Sequence, residues 1–477
     1  MAKRRKRNIR KRPKSKEVTK NLVRAIKINA STRIETCNEA LSPFGGLLAM
    51  VKFFEIIQFR EIFNTAYTKP SRDPAQGHYF MVKGILMLLF IGFNRLWHFS
   101  YIRLDSLLCG IFNVIRLPAA STYWRYLDSM GINQAVSLLR VMRLLRGRVW
   151  QVCGINYSRV KVNFDTTAET VYGDQQGARK GHNTRHRGKK GYRPVLGFIE
   201  ETREYLTGKL RRGETISGEE AADFIKKIRL QLPEFVRHVL VRADGEFCSW
   251  EAVKAAMEEG LEFIFANKVC KPPFDPAGWY RPWKLRNIEF NSCIYQPLGW
   301  EVAVRFVVMR IPIEESKTSD QQMQCLLFED NRYKYRIFCT NLNGSAHKII
   351  DEYDARADVE NLVGEAKREG LAAIPSAKFK NNYAFFQLVM LSYNIWRYIK
   401  LIAAMSVGNQ VDKDKFQGIQ SNTIRIARLK LLFVAAKVVK DAVKYSLYDS
   451  RTPALISFYN FMDRLRNKPR PWATISV

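Results

Sequence analysis

The segment DEYDARADVENLVGEAKREG, residues 351–370, spaces Tyr353, Arg356, Glu360 and Lys367 so that they share a helical face. At about 100° per residue the four fall within an arc of roughly 60°. A carboxylate, two cations and a phenol on one stripe predict a face turned towards something polar and anionic, not a core face. Two more carboxylates end strand-like runs: Asp165 in RVKVNFDTT and Asp244 in HVLVRAD. Taken alone, each acid reads as a cap or a surface charge. Three of them converging would repel one another unless cations neutralised them. Oxygen donors suit Mg²⁺ or Mn²⁺ rather than Zn²⁺. Two such ions, about 3.5–4 Å apart, can activate a water or a 3′-hydroxyl and stabilise the leaving oxygen of a phosphodiester. Asp165, Asp244 and Glu360 are therefore the candidate catalytic and metal-ligating residues, with two ions expected per site. Glu246, beside Asp244, is a candidate substitute ligand.

These acids need elements to hold them. RVKVNFDTT, RPVLGFIEE and EYLTGKLRRG read as three strands, the last two joined tightly near Thr202 and Arg203. A Ser-x-x-Glu capping box at Ser217 and Glu220 opens a helix. The strand HVLVRAD, a helix from Ser249 to about Gly260 and the strand LEFIFANK follow. That order, with Asp165 and Asp244 at C-terminal strand ends, is the order of an RNase H-like α/β core. IEFNSCIYQ, WEVAVRFVVMRI, QCLLFED and YKYRIFCTNL read as strands of a β-rich insertion, after which the core resumes with one helix over about 347–370. The predicted organisation is a basic arm over 1–30, a helical DNA-binding or assembly domain over 31–150, the first part of the core over 151–268, the insertion over 269–345, the second part of the core over 346–405 and a C-terminal helical region over 406–477. In the N-terminal region, Ser121 or Thr122 is the expected cap of a short helix, and a helix-turn-helix reader or an ordinary bundle would both fit the pattern.

The 477 residues carry 78 Lys and Arg against 45 Asp and Glu, a net charge of +33. Such an excess calls for a polyanionic partner. Hydrophobic residues make up 47% of the chain, which excludes global disorder. No apolar run is long enough to span a membrane, and the N-terminus lacks a secretory apolar stretch. Residues 1–16 hold ten Lys or Arg and read as a disordered arm that neutralises phosphates. The stretch from Arg179 to Arg193 has seven Lys or Arg and no acid, so Arg185, Arg187, Lys189 and Lys190 are expected on the DNA backbone. His182 and His186 have the spacing of a zinc pair, but their Gly-rich, cationic surroundings read as a loop. The eight cysteines are too scattered for a zinc motif and read as reduced, buried thiols.

The Tyr-Arg-Glu-Lys spacing, with Asp165 in VNFDTT, Asp244 in VRADGEF and an insertion ahead of Glu360, resembles the DDE transposases of bacterial insertion sequences that carry the YREK signature. YGDQQGARKGHNTRHRGKKGYRPVLGFI resembles the group related to piggyBac. The resemblance covers roughly residues 160–400. It implies an RNase H-like catalytic core and cut-and-paste transposition: metal-dependent hydrolysis at terminal inverted repeats, then 3′-hydroxyl strand transfer into target DNA. It also implies double-stranded DNA as partner, a homodimer in a synaptic complex, no membrane, and a cytoplasmic, nucleoid-associated location in a bacterium. Tyr353, Arg356 and Lys367 would hold phosphates near the transposon end. An aromatic residue of the insertion, Trp279, Trp283 or Trp300, and Trp300 first among them, would stack on a displaced base. Two other readings share the charge and the fold: a catalytically silent DNA-binding protein, such as a domesticated transposase or repressor, and a nuclease without strand joining.

Overall fold

Alternating apolar residues in β1 (Arg159–Thr166) bury Val160, Val162 and Phe164 on one side and leave Lys161, Asn163 and Asp165 on the other. In the computed structural model, which describes residues 28–181, 188–283, 285, 287–313, 332–407, 418–446 and 449–467, this strand lies inside an eight-stranded sheet. The other strands are β2 (Val195–Ile199), β3 (Tyr205–Lys209), β4 (His238–Ala243), β5 (Glu262–Ala266), β6 (Glu289–Tyr295), β7 (Val304–Pro312) and β8 (Tyr333–Thr340). Their spatial order is β6-β7-β8-β5-β4-β1-β2-β3. β1 pairs with β4, and β4 with β5, in parallel; every other pairing is antiparallel. The strands β6 to β8 thus extend the sheet that carries Asp165. QCLLFED lies outside the described residues.

Each parallel step requires a crossover, and helices supply them. The chain passes from β3 to β4 through a segment that includes α2 (Gly218–Lys226), and from β4 to β5 through α3 (Trp250–Glu258). Ser217 caps α2 by accepting from the Glu220 N–H at 3.2 Å, and Ser249 caps α3 by accepting from Ala252 at 3.2 Å. Both helices pack on the face that carries Val162, Phe164, Val241 and Phe263. The opposite face is covered by α4 (Ala346–Asp354), through Ile349, Ile350 and Tyr353 on Leu240, Ile264 and Phe338.

The helices before and after the sheet build one core together. Helices Leu47–Ile56, Phe59–Ala66 and His78–Phe90 pack with α1 (Ile132–Cys153), α6 (Phe379–Val407) and Thr452–Asn467, and the same cluster takes in Leu196, Phe198 and Tyr205 of the sheet. Residues 28–39 belong to a separate unit, whose ordered feature is a turn in which the Ser31 N–H donates to Asn29 Oδ1 at 3.0 Å. Among the described residues no helix is long and apolar enough to cross a membrane.

Three local expectations are corrected. The run after Ile424 is not one helix: it ends at Leu431, and Ala436–Val439 and Ala442–Tyr445 form a hairpin whose first strand also pairs with Leu41–Ser42. Val438, Val439 and Val443 favour extended backbone. Asp441 takes φ 60° in the two-residue turn, a conformation that Asp tolerates. The short helix spanning Ala120–Ser129 starts at Ala119 with no side-chain cap, because Pro118 delivers the chain extended and winding begins before Ser121 and Thr122. The helix expected over 347–370 is α4, a 3₁₀ turn at Ala355–Ala357, α5 (Asp358–Ala366) and a π turn over Lys367–Leu371, where Gly370 has φ 127°.

Candidate active site

In the parallel pair of β1 and β4, Asn163 lies opposite Arg242. Side chains alternate along strands, so two residues further on, at the C-terminal ends, Asp165 and Asp244 lie side by side on the same face of neighbouring strands, which are spaced about 4.8 Å apart. Asp165 Oδ1 accepts from the Thr166 N–H at 3.0 Å, and Asp244 Oδ1 from the Glu246 N–H at 3.1 Å. The third acid arrives from above. α4 is anchored on the sheet by Tyr353, whose ring lies 4.5 Å from that of Phe338, and the chain then bends through Ala355–Ala357 into α5. An ion pair between Arg203 and Asp358 fastens α5 to the β2–β3 turn. Glu360, in the first turn of α5, is exposed.

Asp244 and Glu360 both lie close enough to Asp165 for their charges to act on its carboxyl. Burial pushes the Asp165 carboxyl up to about 7; the Arg356 guanidinium opposes this, while the negative charges of Asp244 and Glu360 add to it. An acid with a raised folded pKa binds more protons folded than unfolded between its ordinary 3.8 and about 7, so its contribution to stability falls as pH rises through that window. In chelator, the Asp165 contribution to thermal stability is therefore expected to decline from about pH 4 to pH 7, and Asp165→Asn should flatten that decline. Identical pH profiles for the two proteins would refute the assignment.

The cations are arranged around the same edge. Arg356 Nη1 donates to the Phe164 carbonyl at 3.4 Å, and its guanidinium lies 5.0 Å from the Tyr353 ring centre. Lys367 Nζ donates to the Ala168 carbonyl at 2.9 Å and pairs with Glu169 at 3.2 Å. The stripe is thus not uniformly polar. Tyr353 is buried in the apolar layer under α4, with its phenol pushed up first by burial; on an inward-tilted helix the residue beside Ile349 and Ile350 has to pack.

Two arginines that the spacing argument does not reach organise the site from below. Arg242 is fully buried; its Nε donates to Asn163 Oδ1 at 2.8 Å, and it also pairs with Glu352 at 3.0 Å and with Glu200. Burial lowers its pKa to about 10, the Glu352 charge opposing the shift. The signal available in the sequence was an arginine inside the otherwise apolar HVLVRA. Arg193, 7% exposed, pairs with Glu246 and donates to Thr166 Oγ1 at 3.4 Å, tying the end of β1 to the turn after Asp244. It is a brace within the site, not part of a solvated loop, and it neutralises the Glu246 carboxylate.

The remaining expectations divide. Lys189 is exposed, and Lys190 pairs with Asp174 at 3.2 Å; Arg185 and Arg187, like His182 and His186, lie outside the described residues. Trp300 is 6% exposed, its ring 5.6 Å from Trp250 and 6.1 Å from Phe306. Packed against Phe306 of the core and the half-buried Trp250, it presents little free ring surface to a base. Trp279 is covered by Arg310 at 3.9 Å, whereas Trp283 is 84% exposed. Cys37 is exposed, against the expectation of buried thiols. Cys248 and Cys270 both approach Asn267 Oδ1, at 3.9 and 3.7 Å, and burial pushes the Cys270 thiol up to about 12. Among the described residues no three His, Cys, Asp or Glu side chains form a ready-made metal group, the acidic trio included. The donor chemistry nonetheless suits a hard cation: the trio offers only oxygen donors, and the Asp165 carboxyl, raised first by burial, is raised further by the other two charges.

A search of curated protein sequences gives no match. A cryo-EM structure of a piggyBac transposase synaptic complex with hairpin DNA aligns over 90% of this chain and 87% of that one, at 11% identity and a TM-score of 0.39. The family model for the transposase DDE domain, group 1, matches residues 25–469. With that match spanning nearly the whole chain, the protein belongs to the DDE transposase family.

Proposed function

We propose that the protein is a cut-and-paste transposase built on an RNase H-like core, with Asp165, Asp244 and Glu360 as its catalytic acids. The observation that carries this reading is the meeting of three acids around Asp165: its carboxyl, raised first by burial, also feels the charges of Asp244, from the neighbouring strand, and of Glu360, from α5. The strand order β3-β2-β1-β4-β5, with its two parallel pairings, supports the core assignment. The three carboxylates would hold Mg²⁺ or Mn²⁺, a pair of ions supplying Lewis acidity to the attacking oxygen and charge neutralisation to the leaving one.

The chain's own residues position the DNA. Arg356 uses one of its donors on the Phe164 carbonyl and keeps others for a phosphate oxygen; Lys367 stands further along the same edge. In the first step water attacks phosphorus at the end of the element and the P–O3′ bond breaks, leaving a 3′-hydroxyl. In the second step that hydroxyl attacks a target phosphodiester, forming a new P–O bond and expelling another 3′-oxygen, so no energy source is consumed. Two ends have to be joined, which requires a homodimer or larger assembly.

The test is labelled DNA carrying the terminal repeat, incubated with Mg²⁺, Mn²⁺ or chelator, with cleaved and joined products resolved. Metal-dependent products of both kinds support the reading. Cleavage without joining would make the protein a nuclease, and binding without cleavage a silent DNA-binding protein; either outcome overturns the proposal. DNA affinity should fall linearly in log salt, by roughly one power for each phosphate contacted. An affinity unchanged between low and moderate salt would contradict a phosphate-based interface.

A further inference from the structure

Far along the chain from the acidic trio, between helices Phe59–Ala66, His78–Phe90 and Ser106–Phe112, lies a cavity of about 510 Å³ lined by Arg60, Tyr67, Lys69, Asp73, His78 and Lys83 among others. That volume lies within the range of small-molecule sites, about 300–1,000 Å³. Lys83 is its unusual feature. It interrupts HYFMVKGILMLLF, whose neighbours Met81, Val82, Ile85 and Leu86 are fully buried, and its side chain is half-buried beside the cavity. Its ammonium donates to the Ile111 carbonyl at 3.3 Å and lies 4.7 Å from the centre of the Phe112 ring.

The charge around it is of the wrong sign. Arg60 and Lys69 line the same cavity, and Arg60 repels Lys83 strongly enough to add to the effect of burial. Among the described residues no carboxylate pairs with Arg60, Lys69 or Lys83. The carboxylate in the lining, Asp73, is taken up by His78 Nε2 at 2.6 Å. The other His78 nitrogen faces Tyr126 at 3.3 Å, and the Asp73 side chain is otherwise 86% exposed to solvent. A cation that is partly desolvated and uncompensated is costly, and an anion entering the cavity removes that cost. Beside the cations stand the half-buried rings of Tyr79 and Phe80, with Arg60 5.9 Å from the Tyr79 centre. Anion capture next to aromatic faces suits a nucleotide: the phosphate meets the cations and the base meets a ring.

We propose that this cavity binds the phosphate of a nucleotide through Lys83 and Arg60, with the base against the aromatic wall. The nucleotide is either a unit of a DNA strand or a free nucleotide; the recognition chemistry is the same. The inference goes beyond the cleavage reading and is tested without metal or element DNA, so the two fail separately.

The experiment is calorimetric titration of the full chain with dTMP and with thymidine, with thermal melting in parallel. Wild-type protein should bind dTMP, should melt at higher temperature in its presence, and should ignore thymidine, which lacks the phosphate. Lys83→Met keeps the length and apolar stem of the side chain and should weaken dTMP binding roughly tenfold or more, the size of one lost charge-assisted hydrogen bond. Its melting temperature without ligand should equal or exceed that of wild type, because a half-buried charge with no carboxylate partner has gone. Arg60→Ala, at an exposed position, should also weaken dTMP binding and does not depend on core packing. Competition by a single-stranded oligothymidylate would assign the site to DNA strands, and its absence to free nucleotides. Equal dTMP affinity in wild type and both variants, or no phosphate-dependent binding by wild type, overturns the proposal.

Discussion

Glu360→Gln is expected to abolish metal-dependent strand cleavage, a loss on the order of 10⁴-fold or more of the kind seen when one member of a catalytic unit is removed, while leaving DNA affinity and melting temperature unchanged. The substitution removes one negative charge and keeps the shape of an exposed side chain, so the fold has no reason to respond. Asp165→Asn and Asp244→Asn should lose as much activity, because Asp244 and Glu360 both act on the Asp165 carboxyl and all three would share the same cations. Combining two of the substitutions should cost little more than either alone, the signature of residues that work as a unit. Asp351→Asn, at an exposed carboxylate nine residues before Glu360, is the control and should cleave normally. Retained cleavage in all three site variants would sink the assignment. Loss in the control as well would show that net charge on this segment, not the trio, is what the assay reads.

The largest effect on stability is expected at Glu204, which no motif singles out. Its carboxylate is fully buried and accepts from Arg146 Nε at 2.8 Å, Trp150 Nε1 at 2.7 Å, Thr202 Oγ1 at 2.8 Å and the Tyr398 hydroxyl at 3.0 Å. These partners come from α1, from the β2–β3 turn and from α6, so one carboxylate joins the helical core to the sheet. Glu204→Ala leaves the Arg146 guanidinium buried without its counter-charge, and the cost should be about 3–5 kcal/mol. The measurement is the onset of thermal unfolding together with soluble yield. Arg146→Leu combined with Glu204→Leu should recover much of the loss, since no buried charge is then left unpaired. If Glu204→Ala melts like wild type, the pair is not what connects the two layers.

The local signals in the chain were enough to identify strands and caps wherever short-range rules govern. Ser217 and Ser249 cap the helices that their spacing predicts, and Arg203 takes φ 59° in the tight turn between β2 and β3. The same rules misjudged the run after Leu431, where helical periodicity and β-branched content compete and pairing with Leu41–Ser42 decides the outcome. Trp300 illustrates a different limit: the family resemblance offered it, with Trp279 and Trp283, as a base-stacking ring, but whether an aromatic ring faces solvent or Trp250 depends on a contact 50 residues away in the chain.

The sequence by itself determined which acids are the candidates, their order, the strand-helix alternation that carries two of them, the stripe that carries the third, and the family. Only the tertiary structure decided that Asp165 and Asp244 are neighbours, that Arg242 lies one row beneath them hydrogen-bonded to Asn163 across 79 residues, that Arg193 braces Glu246, and that Tyr353 packs while Glu360 is exposed. The reason is physical. Periodicity and capping act within a few residues, whereas parallel register, the partner of a buried charge and the tilt of a helix over a sheet are set by burial between segments that meet only when the chain has folded.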